Sequence, residues 1–218
     1  MVPMGQTRKL AEQLLELLFP SPSNCVFCSI TDEGEMCYNC RQHFFPLRPS
    51  QAVSHVSEVM ALAYYEGVVR DALHRLKYSR SPDLARQLGI LSSQVWSGDI
   101  SRYDFVTSVP MHRDRYIQRG YNQAELVARE IARTADLPYV SYLTRERDTP
   151  PQHSLSHYRR RQNVEDAFSA ACPIPHGVRI LLVDDILTTG STVASCAGVL
   201  KRGGARDIGV LVIAYAEL

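Results

Sequence analysis

The stretch that most restricts the fold lies near the distal end and reads Arg179-Ile-Leu-Leu-Val-Asp-Asp-Ile-Leu-Thr-Thr-Gly-Ser-Thr192. The run Val178 to Val183, apolar but for Arg179, suits a strand covered on both faces, as in the interior of a parallel sheet. Thr192 to Lys201 reads as a helix stopped by Gly203 and Gly204. The segment between them therefore carries the chain from the carboxyl end of a strand into a helix. Free backbone N–H groups at a helix start, the hydroxyls of Thr188, Thr189, Ser191 and Thr192, and the close approach that Gly190 permits make a phosphate cradle. Asp184 and Asp185 come one turn earlier, where they can accept hydrogen bonds from two neighbouring ribose hydroxyls, so the stretch fits a ribose 5-phosphate. The plainer alternative is a strand-to-helix turn that uses Ser, Thr and Asp only as caps. Neither Gly-Lys-Ser/Thr nor Gly-x-Gly-x-x-Gly is present, which argues against ATP and NAD.

The segments upstream obey the same alternation. Val59 to Tyr65 reads as a strand and Val68 to Tyr78 as a helix with Val69, Leu73 and Leu76 on one face; Ser81 with Pro82 opens another helix. Phe105 to Val109 is a short buried strand ended by Pro110. Asn122, with Glu125 three residues on, opens a helix to about Thr134. Tyr139 to Leu143 and Ile208 to Ala214 read as further strands. Strands separated by helices of about 10 to 15 residues imply right-handed crossovers and an α/β fold with a parallel sheet flanked by helices.

A length of 218 residues accommodates one well-buried core and a small appendage. Thr7 to Phe19 places Leu10, Leu14, Leu17 and Leu18 at helical spacing before Pro20, a pattern that suits a packing helix better than a membrane-surface one. Pro46, Pro49 and the run through Ser57 mark a linker, so we expect residues 1–50 to form a helix plus a cysteine module and residues 51–218 the main domain. A net charge of +1 argues against a wholly basic nucleic-acid coat. No stretch approaches the roughly 18 to 20 apolar residues of a membrane span, and the start fits neither a signal nor a transit peptide. A cytoplasmic location without membrane insertion is the expectation.

Four of the six cysteines form two Cys-x-x-Cys pairs, Cys25/Cys28 and Cys37/Cys40. Such turns aim paired thiolates at one ion, and two of them complete a tetrahedral Zn²⁺ site with no open position, so a structural zinc is expected. The alternative is four reduced structural or redox thiols. Cys172 and Cys196 lack metal spacing and read as inert core thiols. Residues 102–162 hold eleven arginines, no lysine and seven acids. Guanidinium forks suit phosphate oxygens, although Arg129, Arg133 and Arg159 to Arg161 read equally as a salt-bridged surface. Lys77 reads either as a surface lysine at a helix end or as a leaving-group ligand.

The 179–192 stretch resembles the 5-phosphoribosyl 1-pyrophosphate (PRPP) loop of type I phosphoribosyltransferases. With the paired cysteines, Leu76-Lys77-Tyr78, Val109-Pro110, Arg119-Gly-Tyr-Asn-Gln123, Thr149-Pro-Pro-Gln152, Arg160-Arg-Gln-Asn163 and Ala167-Phe168, nearly the whole chain resembles the ComF family of competence and DNA-utilisation proteins. The distal part is also similar to glutamine PRPP amidotransferases, without their glutamine-hydrolysing domain. The resemblance implies a type I phosphoribosyltransferase fold behind an N-terminal zinc ribbon. It implies PRPP binding with Mg²⁺ through Asp184, Asp185 and residues 188–192, with the same two aspartates as catalytic groups. It places a pyrophosphate loop after the Phe105 strand, with Arg113 and Arg115 as ligands. It implies partners in single-stranded DNA and a competence helicase. Two readings follow: a phosphoribosyltransferase of unknown acceptor, or a non-catalytic DNA or helicase-partner module that keeps the loop as a sensor. Thr188 stands where oxopurine enzymes carry an acid, which disfavours hypoxanthine and guanine acceptors.

Overall fold

The computed structural model describes residues 24–30, 36–78, 81–146 and 167–217. The helix expected at Thr7 to Phe19, and Tyr158 with Arg159, Arg160 and Arg161, lie outside them. Two compact units divide the chain, residues 1–42 and 43–218. In the first, the described elements are a turn at the first cysteine pair and the single helical turn α1 (Tyr38–Arg41).

The second unit opens with β1 (Glu58–Tyr64), α2 (Gly67–Tyr78), α3 (Pro82–Val95) and α4 (Ser97–Ile100). It continues with β2 (Phe105–Ser108), α5 (Arg113–Arg119), α6 (Gln123–Thr134), β3 (Leu143–Arg145), β4 (Phe168–Ala170), β5 (Arg179–Leu187), α7 (Ser191–Arg202) and β6 (Asp207–Tyr215). Four strands form a parallel sheet in the order β1-β6-β5-β2. β5 and β6 are interior, and β5 is nine residues long, reaching past both aspartates to Leu187. Parallel neighbours need helical crossovers, and the alternation read along the sequence supplies them.

Period-2 geometry divides β5 between two cores. Ile180 and Leu182 pack with Val193, Cys196, Ala197 and Leu200 of α7 and with Val210 and Val212 of β6. Leu181 and Val183 are fully buried on the opposite face, where α6 packs on β2 and β5. Asn122 begins α6 by accepting the Ala124 N–H at 3.1 Å through Oδ1, while its Nδ2 donates to the Val109 carbonyl at 2.9 Å. The cap thus ties the helix to the end of β2.

The strand expected at Tyr139 to Leu143 is displaced. Tyr139 makes a single parallel bridge to Val106, and the chain then leaves the sheet, because Tyr142 and Leu143 bury their side chains in the α7-side core. The strand proper is β3, paired antiparallel with β4 in a ribbon. Cys196 is fully buried, as expected of a core thiol, whereas Cys172 is only half-buried against that core.

Candidate functional site: a strand-to-helix phosphate loop

The carboxyl ends of parallel strands form the usual ligand edge of an α/β sheet. At that edge β5 delivers Asp184 and Asp185, the loop Thr188 to Gly190 follows, and α7 begins at Ser191. Gly190 has φ +76°. A Cβ there would stand 3.0 Å from Val53 Cγ2 and 3.3 Å from Gln51 Nε2, so both the left-handed conformation and the close backbone approach call for glycine. Gly190 is itself the N-cap of α7 and supplies no capping side chain. Thr189 Oγ1 nonetheless accepts from the Ser191 N–H at 3.5 Å, a local side-chain contact of the kind the capping alternative describes. Thr188 and Thr189 are exposed, and Thr189 Oγ1 lies 2.9 Å from Ser191 Oγ, so the hydroxyls cluster at a twelve-residue helix's positive end.

Because β5 is still extended at the aspartates, the two carboxyls point to opposite sides. Asp185 follows Leu181 and Val183 toward the α6 side. Its Oδ2 accepts from Gln123 Nε2 at 2.8 Å and pairs with Lys77 Nζ at 2.9 Å. Burial pulls the Lys77 ammonium pKa down, but the Asp185 and Asp184 charges outweigh it and raise the value overall. Asp184 follows Ile180 and Leu182 toward α7, where its charge acts on Cys196. Burial, reinforced by the Asp185 charge, pushes the Asp184 carboxyl up to about 8, against the lowering effects of the Asp185 N–H, 2.9 Å away, and Lys77.

Lys77 is therefore not a free surface cation: it joins the end of α2 to the loop strand. Arg113 is exposed and Arg115 half-buried, and both lie on α5 rather than in an irregular turn. Arg129 pairs with Glu125 at 2.8 Å and Arg133 with Glu130 at 2.6 Å, the salt-bridged surface reading of both. The contribution of Gln123 was hidden inside the motif Arg119-Gly-Tyr-Asn-Gln123, since no local pattern says that a helix-opening glutamine reaches a carboxylate 62 residues away.

The cysteines of the first unit converge: the Sγ atoms of Cys25, Cys28, Cys37 and Cys40 all lie within 4.8 Å of one another. Zn–S bonds of about 2.3 Å in a tetrahedron require S···S edges of roughly 3.8 Å, and Cys28 and Cys37 stand 3.7 Å apart. Backbone N–H groups of Cys37 and Cys40 donate to Cys25 and Cys37 sulfurs, both at 3.4 Å. Burial raises the Cys25 pKa, but hydrogen bonds from the Cys37, Cys28 and Phe27 backbone win and bring it to about 6. Burial and the neighbouring sulfurs push Cys40 the other way. The donor set fits one soft divalent ion, which relieves the crowding of thiolates.

The sheet order, the strand ending in paired acids and the glycine-capped hydroxyl loop define a type I phosphoribosyltransferase fold, and residues 119–217 match the family model for the phosphoribosyl transferase domain. The chain is 34% identical over 159 residues to the DNA utilization protein YhgH of Escherichia coli O157:H7, covering 70% of this chain and 69% of the relative. It is 37% identical over 115 residues to competence protein F of Haemophilus influenzae, covering 51% and 50%. Among solved structures it is similar to the glutamine PRPP amidotransferase of B. subtilis complexed with ADP and GMP, with 22% identity and a TM-score of 0.43 over 63% of this chain and 30% of that one. The chain belongs to the ComF family. Among the described residues no helix is long and apolar enough to cross a membrane.

Proposed function

We propose that the chain binds PRPP at the 184–192 loop and transfers its 5-phosphoribosyl group to an acceptor, with a structural Zn²⁺ on Cys25, Cys28, Cys37 and Cys40. The observation that carries this reading is the glycine-capped loop: the helix start and the paired hydroxyls of Thr189 and Ser191 come directly after two carboxyl-bearing residues, with Thr188 and Thr192 adjacent in sequence. The 5-phosphate takes the N–H groups and hydroxyls, and the carboxylates accept from the ribose hydroxyls. In the transfer, the C1–O bond to pyrophosphate breaks, its electron pair leaves with the pyrophosphate, and a nucleophilic atom of the acceptor bonds to C1. The protein's share is positioning and charge compensation. Arg113 and Arg115, on the helix that follows β2, are the ligands for the leaving group. Mg²⁺ held chiefly by pyrophosphate and ribose oxygens and water would neutralise leaving-group charge beside the β5 end that carries Asp184 and Asp185. Titration with PRPP and Mg²⁺, followed by a screen of bases and amines for pyrophosphate release, tests the proposal. Saturable binding with release for one acceptor class is the expected result; no PRPP binding overturns it.

A second reading, a single-stranded DNA module, is favoured by α5. This helix buries none of its residues and exposes Tyr116 and Ile117 beside Arg113, an arrangement that suits phosphates and stacked bases. The relatives are named for DNA utilization and competence. Fluorescence anisotropy of a labelled oligonucleotide at two salt concentrations tests it: binding that falls with salt and with Arg113→Ala is expected, and no binding at low salt removes the reading.

A further inference from the structure

Arg119 closes α5, and its Nη1 donates to Gln123 Oε1 at 2.6 Å. An amide whose oxygen accepts from a guanidinium must turn its NH₂ the other way, and here that NH₂ meets Asp185 Oδ2 at 2.8 Å. Arg119 is itself held, its guanidinium 5.4 Å from the centre of the Tyr78 ring at the end of α2. Tyr121 donates from its hydroxyl to the Leu76 carbonyl, one residue before Lys77. One short motif therefore secures the end of α2, which carries Lys77, and also supplies the second donor to Asp185. Both donors meet the same oxygen, so among the described contacts Oδ1 of Asp185 is the atom left for a ligand. A carboxyl group that is 8% exposed and gripped at one oxygen cannot swing, and its free oxygen is presented in one direction.

We infer that Gln123, oriented by Arg119, is a positioning residue that fixes the Asp185 carboxylate for the ribose hydroxyls of PRPP. The inference rests on the PRPP reading and adds to it a residue pair, outside the loop, that sets how well the loop strand discriminates hydroxylated sugars. Gln touches no ligand in this scheme. It acts through Asp185, whose carboxylate it aims by a hydrogen bond from its amide.

The test is calorimetric titration of the full chain with PRPP and Mg²⁺, then displacement by ribose 5-phosphate and by 2,3-dideoxyribose 5-phosphate. Wild type should prefer the hydroxylated sugar. Gln123→Leu should weaken PRPP tenfold or more and bring the ratio of the two displacers close to one, a change that general loosening of the fold would not produce. Arg119→Met should move both quantities in the same direction by less, and Arg119→Lys, which keeps a cationic donor to Gln123, should restore most of the loss. An unchanged displacer ratio in folded Gln123→Leu, or equal weakening of both sugars, overturns the inference while leaving PRPP binding intact. Failure of wild type to bind PRPP overturns the underlying reading and this one with it.

Discussion

Replacing Asp184 by Asn should make the protein more stable and a poorer PRPP binder at once. The carboxyl sits half-buried on β5, and burial together with the Asp185 charge raises its pKa from 3.8 to about 8 in the folded chain. The unfolded chain therefore gives up this proton near pH 4 while the folded chain keeps it. The group's stabilising contribution is complete at pH values below about 4, declines as pH rises, and levels off above about 8. At about 1.4 kcal/mol per unit the full displacement corresponds to at most about 6 kcal/mol, and solvent screening of a half-buried group reduces this to about 2 to 3 kcal/mol. Asn carries no such penalty, and its Oδ1 keeps the bond from the Asp185 N–H. Urea unfolding should then show Asp184→Asn about 2 to 3 kcal/mol more stable than wild type at pH 8, and equal to it at pH 4. Above about pH 8, where Asp184 is ionised, the same variant should lose on the order of ten- to a hundredfold in PRPP affinity, the loss of a hydrogen bond to a charged acceptor. A stability difference that does not grow between pH 4 and pH 8 would refute the placement of Asp184 in a desolvated, like-charged setting.

Lys77→Met leaves Asp185 with Gln123 alone. Breaking a buried ion pair costs about 3 to 5 kcal/mol; with Lys77 about a quarter exposed and one donor retained, about 2 to 3 kcal/mol is expected by denaturant unfolding, and a loss below about 0.5 kcal/mol contradicts the pairing. Gly190→Ala meets Val53 Cγ2 at 3.0 Å and a φ of +76°, so it should cost about 1 to 2 kcal/mol and reduce binding of inorganic phosphate, both read by calorimetry. Elemental analysis of protein purified without added metal should give one zinc per chain, and chelation should lower the melting temperature. Near-zero zinc with four freely titrating thiols in the folded protein contradicts the metal site.

The main elements were legible because their signals are local. The paired cysteines, the Asn122 cap and the apolar run into Asp184 each need only a few neighbouring residues to be read, and the loop before Ser191 is a single uninterrupted motif. What was hidden depends on distance or on competition between cores. The strand assigned to Tyr139 to Leu143 has good β-formers, yet the burial of Tyr142 and Leu143 against α7 draws the chain out of the sheet into the β3–β4 ribbon. The opposite facing of Asp184 and Asp185 follows from simple alternation once β5 is known to extend to Leu187, but the sequence alone does not say how far the strand runs past the apolar segment. The Lys77 and Gln123 contacts to Asp185 join three segments far apart in sequence, and no spacing rule announces them.

The central claim is that the loop from Asp184 to Thr192 is a PRPP site, and direct calorimetric titration of the zinc-replete full chain with PRPP in Mg²⁺ tests it. The account predicts one saturable site per chain that is weakened by Asp184→Asn and by Gly190→Ala. Absence of binding by wild type, or affinity unchanged in both variants, would place the ligand elsewhere and contradict the account.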